Sequence, residues 1–356
     1  MRSLATMLLT AFTAASCYGQ APSVAAPADG KLYHGVYPGG QTGEEDDIAP
    51  ADVTAYEDLA GKHVAWVYVS NNWYRSRAFP LETAQWTRDH GSIPFIRLML
   101  RSSSAQNKRE RLFNVRNILR GRFDADLRAW AAQARDFGSP LLVEWGTECN
   151  GAWFSWNGKW NGGKSTRGFG DKTKPDGPER FVAAYRHIVE VMRGAGAANI
   201  TWVWHVNATD GPQVPWNASE LYYPGNDVVD WVAVSVYGPQ TPLDEGAPTF
   251  REQMDPCYAR LDSLAPGKPV MLAEFGCTAG NPLVAPENWA RAALSDILGG
   301  RYPRLAGFSW WNERWENDDN PAHNTTMCLE DIPALADVFK TMLENSKAII
   351  VERPSP

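Results

Sequence analysis

The sequence has 356 residues, 44% hydrophobic and 21% charged, a composition typical of a folded globular protein. Its formal net charge of −7 and its lack of a long basic run argue against nucleic acid as a partner. The 16 tryptophans are more than core packing usually takes. Because an indole combines a flat apolar face with a polar N–H, we expect part of this excess to contact sugar rings.

Residues 1–17 have the layout of an export signal, with Arg2, an apolar run from Leu4 to Ala15 and small residues before Cys17. The apolar run is too short to be a permanent membrane span. A loose lipoprotein-type cleavage site precedes Cys17, so two outcomes are open: a lipid anchor at Cys17, or free secretion to the periplasm or the outside. The lipid anchor is the only membrane contact expected. Residues 18–30, rich in Ala and Pro, are predicted to be a flexible tether to a single domain over residues 31–348.

Within that domain, short apolar runs alternate with helical patterns. The predicted strands are Tyr33–Tyr37, Val64–Val69, Ile93–Leu100, Leu141–Thr147, Ile200–Val206, Trp231–Tyr237, Val270–Phe275 and Gly307–Trp311. The predicted helices are Ala51–Gly61, Leu81–His90, Asp124–Phe137, Pro178–Arg193, a short piece at Ala218–Tyr222, Thr249–Leu264, Pro286–Leu298 and Ile332–Leu343. This alternation predicts an α/β fold, a (β/α)8 TIM barrel. A doubly wound open sheet is the alternative, but no Gly-rich phosphate loop follows the first strands.

Two glutamates stand at the ends of predicted strands, Glu148 after the fourth and Glu274 in the seventh. The carboxyl ends of the strands form the active face of a TIM barrel, so we expect both side chains in one cleft. Two carboxyl groups are the minimum for glycoside hydrolysis, in which one protonates the leaving oxygen and the other attacks the anomeric carbon. The tryptophans near Glu148 predict a raised pKa there, as a general acid requires.

Other polar and aromatic residues near the strand ends are predicted to bind substrate. They are His34, Arg97, Asn150, Trp153, Trp156, His205, Asn207, Trp310 and Trp311. Glu144 is assigned a structural role as the partner of Arg97, because a buried carboxylate is costly unless paired.

Two loops and the cysteines complete the candidate features. Residues 157–177 form a long loop that we expect to wall the cleft. Residues 315–320 carry ligand types for Ca²⁺ but are interpreted as a solvated acidic loop, so neither a metal nor a cofactor is expected. The cysteines after Cys17 match no zinc pattern, and Cys149 is interpreted as a small buried residue. A disulfide between Cys277 and Cys328 is one expectation, although the sequence fixes no pairing.

Four segments together carry a family resemblance. They are GTECNGAWFSW around Glu148, YRHIVEVMRGAGAANITWVWHVN from Tyr185, YYPGNDVVDWVAVSVYG from Tyr222, and KPVMLAEFG around Glu274. From about residue 33 to 345 the chain resembles glycoside hydrolase family 26, the β-mannanase family of a retaining barrel clan. The resemblance implies an acid/base at Glu148, a nucleophile at Glu274, and Tyr237 close to the nucleophile.

The chain departs from the family pattern beside the acid, where Thr147 and Cys149 replace a His and a Met. Thr147 is smaller and lacks a ring N–H. We therefore expect a roomier pocket and weaker activity on plain linear mannan than on a decorated or differently linked β-glycan.

The leading hypothesis is an exported, monomeric, retaining endo-β-glycosidase that acts on a polysaccharide or oligosaccharide. Its two carboxyl groups would lie about 5 to 5.5 Å apart. The alternative is a non-catalytic carbohydrate-binding barrel, which the presence of both glutamates disfavours. An esterase is disfavoured because the chain has no GxSxG nucleophile motif.

Overall fold

The computed structural model describes residues 23–39 and 47–350 of the chain. Eight parallel strands form its centre: β1 (Leu32–Tyr37), β2 (Trp66–Asn72), β3 (Ile93–Met99), β4 (Leu141–Trp145), β5 (Ile200–Asn207), β6 (Trp231–Tyr237), β7 (Val270–Gly276) and β8 (Leu305–Trp311). Strand β1 pairs with both β2 and β8, which closes the sheet. The predicted barrel is confirmed. Short strands β9 (Arg314–Trp315) and β10 (Thr325–Thr326) pair with each other, and β11 (Ile349–Ile350) pairs with β1.

Helices cover the outside of the barrel. They are α1 (Pro50–Ala60), α2 (Leu81–Asp89), α3 (Val115–Leu119), α4 (Asp124–Phe137), α5 (Asp176–Gly194), α6 (Phe250–Leu264), α7 (Pro286–Leu298) and α8 (Pro333–Leu343). Seven predicted helices are observed with ends within two residues. Helix α3 was not predicted because it is too short to show a period. The short piece predicted at Ala218–Tyr222 is two 3₁₀ turns, Pro215–Asn217 and Ser219–Tyr222.

Large aromatic rings fill the barrel at the N-terminal ends of its strands. Trp66 packs edge-on against Trp231 and donates its indole N–H to Ser309 Oγ over 2.6 Å. A Cβ at Gly35 or Gly307 would lie 2.0 or 2.3 Å from the Trp66 ring, so both positions require glycine. Because this end is closed by packed side chains, an open site is left for the C-terminal ends of the strands.

One residue of the predicted tether packs against the barrel. Val24 is 3% exposed, its N–H donates to Thr201 Oγ1 over 2.7 Å, and its carbonyl accepts from Trp231 Nε1 over 3.2 Å. Both partners lie at the start of barrel strands, so Val24 extends the core, whereas most of residues 25–30 are exposed. The predicted export signal lies outside the described residues. No helix in the described ranges is long and apolar enough to cross a membrane.

The expected disulfide is not formed. Cys149, Cys257, Cys277 and Cys328 are all buried and unpaired. Burial raises the thiol pKa of both Cys277 and Cys328 to about 12, so neither thiol is reactive. The interpretation of Cys149 as a small buried residue agrees with its zero exposure.

Candidate active site

A cavity of about 490 Å³ lies at the C-terminal ends of the strands. Its lining residues are Arg97, Gln106, Asn107, Glu148, Trp153, Phe154, Asn207, Tyr237, Gln240, Glu274, Trp311, Glu313 and Trp315. The fold therefore brings Glu148 and Glu274 to one cavity, as expected from their strand ends. The predicted residues Arg97, Trp153, Asn207, Tyr237 and Trp311 also line it.

Glu148 reaches the cavity from a tight turn after β4. Its φ is +47°, in the left-handed region that costs a non-glycine residue about 1 kcal/mol or more. The Glu148 carbonyl closes the turn by accepting from Gly151 N over 2.7 Å. Trp153 Nε1 donates to Glu148 Oε2 over 2.6 Å. A strained turn and one indole donor thus fix a nearly buried carboxyl group at the cavity wall.

Glu274 lies in β7, next to a register irregularity between β7 and β8. Tyr237 donates its hydroxyl to Oε2 over 2.9 Å, and the Tyr68 hydroxyl lies 3.4 Å from Oε1. Arg97 Nη2 is 3.9 Å from Oε1. Burial raises the pKa of Glu274 to about 7, Arg97 opposes the rise, and the Glu148 charge adds to it.

These groups make a carboxyl pair that holds one proton near neutral pH. Two neighbouring carboxyl groups cannot both ionise easily, so the raised pKa belongs to the pair rather than to Glu274 alone. Tyr237, Tyr68 and Arg97 place positive or donor groups at Glu274, whereas Glu148 receives one indole N–H. Glu274 therefore has more neighbouring groups that stabilise a carboxylate than Glu148 has.

The pair predicts a bell-shaped pH dependence. Because the singly protonated pair is the competent form, kcat/KM should fall as pH rises above about 7, where the pair loses its proton. It should also fall at low pH, where both carboxyl groups are protonated. Initial rates at subsaturating substrate between about pH 4 and pH 9 measure this profile. A plateau extending well above pH 8 would contradict the shared proton.

Beneath the pair, a buried network supports Glu274. Glu144 is bonded to His205 Nδ1 over 2.7 Å, accepts from the Tyr68 hydroxyl, and lies 3.8 Å from Arg97 Nε. Burial alone would raise the pKa of Glu144, but the His205 and Arg97 charges and the Tyr68 hydrogen bond keep it below its ordinary value. The predicted pairing of Glu144 with Arg97 is confirmed, and the register of β3 and β4 places the two residues opposite each other. Tyr68 was not predicted, although it lies two residues after Trp66 on β2 and so shares its inward face.

Two predicted substrate contacts point away from the cavity. His34 is fully buried against helix α1, with Nε2 2.8 Å from the Tyr56 hydroxyl. Trp310 is also fully buried, packs on Phe339 and donates to the Met327 carbonyl over 2.8 Å. Successive strand residues face opposite sides of a barrel, so Trp311 faces in and Trp310 faces out.

Three more predicted contacts are buried beside or below the cavity. The Asn150 side-chain amide binds the backbone at the end of β5: it donates to the Asn207 carbonyl and accepts from Asn207 N, both over 2.8 Å. Trp156 stacks under Phe154 at 4.5 Å. His205 lies between Glu144 and Ser235 Oγ. These residues position the loops and the network rather than contact substrate.

The expectation of a roomier pocket at Thr147 is wrong. Thr147 is 1% exposed, its hydroxyl lies 2.9 Å from His205 Nδ1, and it does not line the cavity. The space next to the Glu148 carboxyl is taken by the Trp153 indole instead. Thr147 therefore gives no basis for predicting which β-glycan the cavity prefers.

The cavity walls also differ from the expectation. No residue of the 157–177 loop lines the cavity; its first turn is tied to Tyr222, whose hydroxyl accepts from Gly158 N. The walls come from the loops after β3, β6 and β8, through Gln106, Asn107, Gln240, Glu313 and Trp315. Loop residues follow no period, so four of these five residues could not be predicted. Trp315 alone stood out, in the acidic stretch.

Trp310 and Trp311 provide a matched pair of substitutions. Trp311 stacks on Tyr37 at 3.8 Å and lines the cavity, so Trp311→Ala should lower kcat/KM by about 10- to 100-fold. Trp310→Ala should destabilise the fold by about 3 to 5 kcal/mol and leave kcat/KM of the folded enzyme unchanged. Thermal melting and steady-state kinetics of both variants check this. The reverse pattern would mean that the two side chains exchange faces.

The sequence is similar to a family model and to proteins of known activity. The family model described as "Glycosyl hydrolase family 26" matches residues 114–253. Endoglucanase H of Acetivibrio thermocellus is 26% identical over 271 residues, 75% of this chain and 27% of that protein. Over residues 114–253 the chain is similar to glycosyl hydrolase family 26. The beta-1,3-xylanase TXYA of Vibrio sp is 29% identical over 127 residues, 35% of this chain and 23% of the relative. The chain thus spans about a quarter of the length of these curated relatives.

Solved structures agree with the fold. Bacillus subtilis mannanase man26 matches with a TM-score of 0.59 and 17% identity over 90% of this chain and 86% of that one. The YdhT protein from Bacillus subtilis matches with a TM-score of 0.61 and 17% identity over 92% and 88%. At this identity the likeness shows the barrel alone. The family 26 match includes Glu148 and Tyr237 but ends before Glu274, which the barrel geometry brings to the same cavity.

Proposed function

We propose that this protein is an exported retaining endo-β-glycosidase that hydrolyses a β-linked polysaccharide. The observation that carries the proposal is the carboxyl pair, in which Glu148 and Glu274 line one cavity and Tyr237, Tyr68 and Arg97 surround Glu274. Export rests on the sequence of residues 1–17, outside the described ranges.

In the proposed reaction, Glu148 gives its proton to the departing glycosidic oxygen while the Glu274 carboxylate attacks the anomeric carbon. Tyr237 and Arg97 hold the Glu274 oxygens in position, and Trp153 orients Glu148. After the leaving sugar departs, Glu148 deprotonates a water molecule, which attacks the anomeric carbon and releases Glu274. No step draws on a metal or an organic cofactor.

The substrate class is supported by the relatives and by the cavity. Proteins similar to this chain are named as an endoglucanase, beta-1,3-xylanases and mannanases. The cavity combines indoles at Trp153, Trp311 and Trp315 with amides at Gln106 and Gln240. Indole faces suit sugar C–H faces and amides suit hydroxyls. We propose β-mannan or a related β-glycan, including mixed-linkage glucan, β-1,3-xylan and bacterial exopolysaccharide.

A two-part experiment tests this proposal. The protein is first incubated with a panel of these glycans, and products are sized by mass spectrometry. Early release of mixed oligosaccharides is expected from an endo enzyme. Proton NMR of the first product should then show the β-anomer before mutarotation, because double displacement retains configuration. A first-formed α-anomer would contradict the retaining mechanism. Binding to a glycan without cleavage of any of them would favour a non-catalytic carbohydrate-binding barrel.

A further inference from the structure

At the opposite end of the barrel, Glu57, His63 and His90 bring three metal-ligating groups together. Their candidate ligand atoms all lie within 4.8 Å of one another, the one such cluster of three among the residues that the structure describes. Glu57 is in α1, His63 precedes β2 and His90 follows α2. We propose that this cluster binds a divalent late first-row transition metal, with Zn²⁺ as its representative.

The donor set selects this class of metal. Two imidazoles and one carboxylate suit Zn²⁺ and its neighbours, whereas Ca²⁺ and Mg²⁺ prefer oxygen ligands alone. Glu57 Oε1 lies 2.9 Å from His63 Nδ1, and Glu57 Oε2 lies 3.1 Å from His90 Nε2. Ligand atoms around a tetrahedral zinc stand roughly 3.4 Å apart at usual bond lengths. The carboxylate oxygens need to separate from the two imidazole nitrogens by only a few tenths of an ångström to admit the ion.

The surroundings orient the ligands. The His63 ring also hydrogen-bonds the backbone of Gly91, and a Cβ built on Gly91 would lie 3.5 Å from His63 Nε2. A second hydrogen bond of this kind fixes the tautomer of a metal-binding histidine and leaves the other nitrogen, here Nδ1, for the ion. Val64 N donates to Glu57 Oε1 over 2.8 Å and holds the carboxylate in place. The three side chains are 14% to 32% exposed, so a water molecule can complete the coordination.

Zinc at this position would join α1, the segment before β2 and the end of α2, and so act on stability rather than on catalysis. The cavity at the C-terminal strand ends shares no residue with the cluster. We expect one equivalent of Zn²⁺ to bind to tag-free, EDTA-treated protein by calorimetry. At a hundredfold excess over Kd it should raise Tm by about 4 °C. The value of kcat/KM should stay unchanged.

Variants distinguish a metal site from a simple ion-pair cluster. His63→Ala and His90→Ala should each lose the stoichiometric heat and the Tm rise. His187→Ala is the matched control, because His187 pairs with Asp124 at 2.7 Å at a similar exposure but has no second histidine. It should keep both. Cobalt(II) added to the wild-type protein gives a readout that needs no variant, an intense visible band from a four-coordinate ion. Absence of zinc binding and of the cobalt band in the wild type, or their persistence in His63→Ala and His90→Ala, would overturn the proposal.

Discussion

Glu274→Gln is expected to lower kcat/KM by at least about 10⁴-fold, the largest effect of any single substitution in the cavity. The amide keeps the shape of the side chain but cannot attack the anomeric carbon, and it removes the negative charge that faces the developing positive charge of the transition state. Steady-state kinetics on the best glycan of the panel measures the loss. Calorimetric binding of an oligosaccharide by the same variant shows that the cavity is intact.

The control for Glu274 is a second cavity carboxylate. Glu313→Gln also changes a buried carboxyl group of the lining, but Glu313 lies after β8 and its Oε1 accepts from Arg314 N. We expect its kcat/KM to change by less than about tenfold. Added azide should also restore turnover of an activated aryl glycoside by Glu274→Ala and give the α-glycosyl azide. Glu274→Gln activity within tenfold of the wild type would exclude Glu274 as the nucleophile.

Glu148→Ala is expected to lower kcat/KM on a polysaccharide by about 10²- to 10⁴-fold, because the leaving sugar oxygen is then expelled without a proton. An aryl glycoside with an acidic phenol needs no such help. For that substrate, the formation of the glycosyl-enzyme should stay fast and its hydrolysis should become slow, which gives a burst of phenol. Stopped-flow absorbance measures the burst.

The indole that touches Glu148 supplies the control. Trp153→Phe keeps an aromatic ring at the cavity but removes the N–H that donates to Glu148 Oε2. We expect the kcat/KM of Trp153→Phe to lie between those of the wild type and Glu148→Ala, with a shifted pH profile. The loss should be the same for polysaccharides and for aryl glycosides with an acidic phenol. An equal loss of Glu148→Ala activity on both classes of substrate would contradict its role as the acid.

The sequence by itself determined the barrel and both carboxyl groups of the pair. Apolar strands alternating with helices admit few topologies, and a parallel barrel gathers the ends of its strands at one face. Glu148 and Glu274 could therefore be placed in one cleft from their positions after Leu141–Val143 and Val270–Ala273. The pairing of Arg97 with Glu144 was predictable for a related reason, since a buried charge needs a partner on a neighbouring strand.

Only the tertiary structure decided which neighbouring side chains reach the cavity. The position of a residue at a strand end does not determine how deep its side chain lies in the barrel. His205 lies below the cavity, bonded to Glu144. On β8, Trp311 lines the cavity, whereas its neighbour Trp310 is buried in the core. Loops carry no period, and their paths follow from packing against the whole barrel. That is why Gln106, Gln240 and Glu313 form the walls while the long loop after Trp156 does not. The charge state was likewise a property of the folded pair, because burial and the surrounding groups act on Glu274 only once distant segments meet.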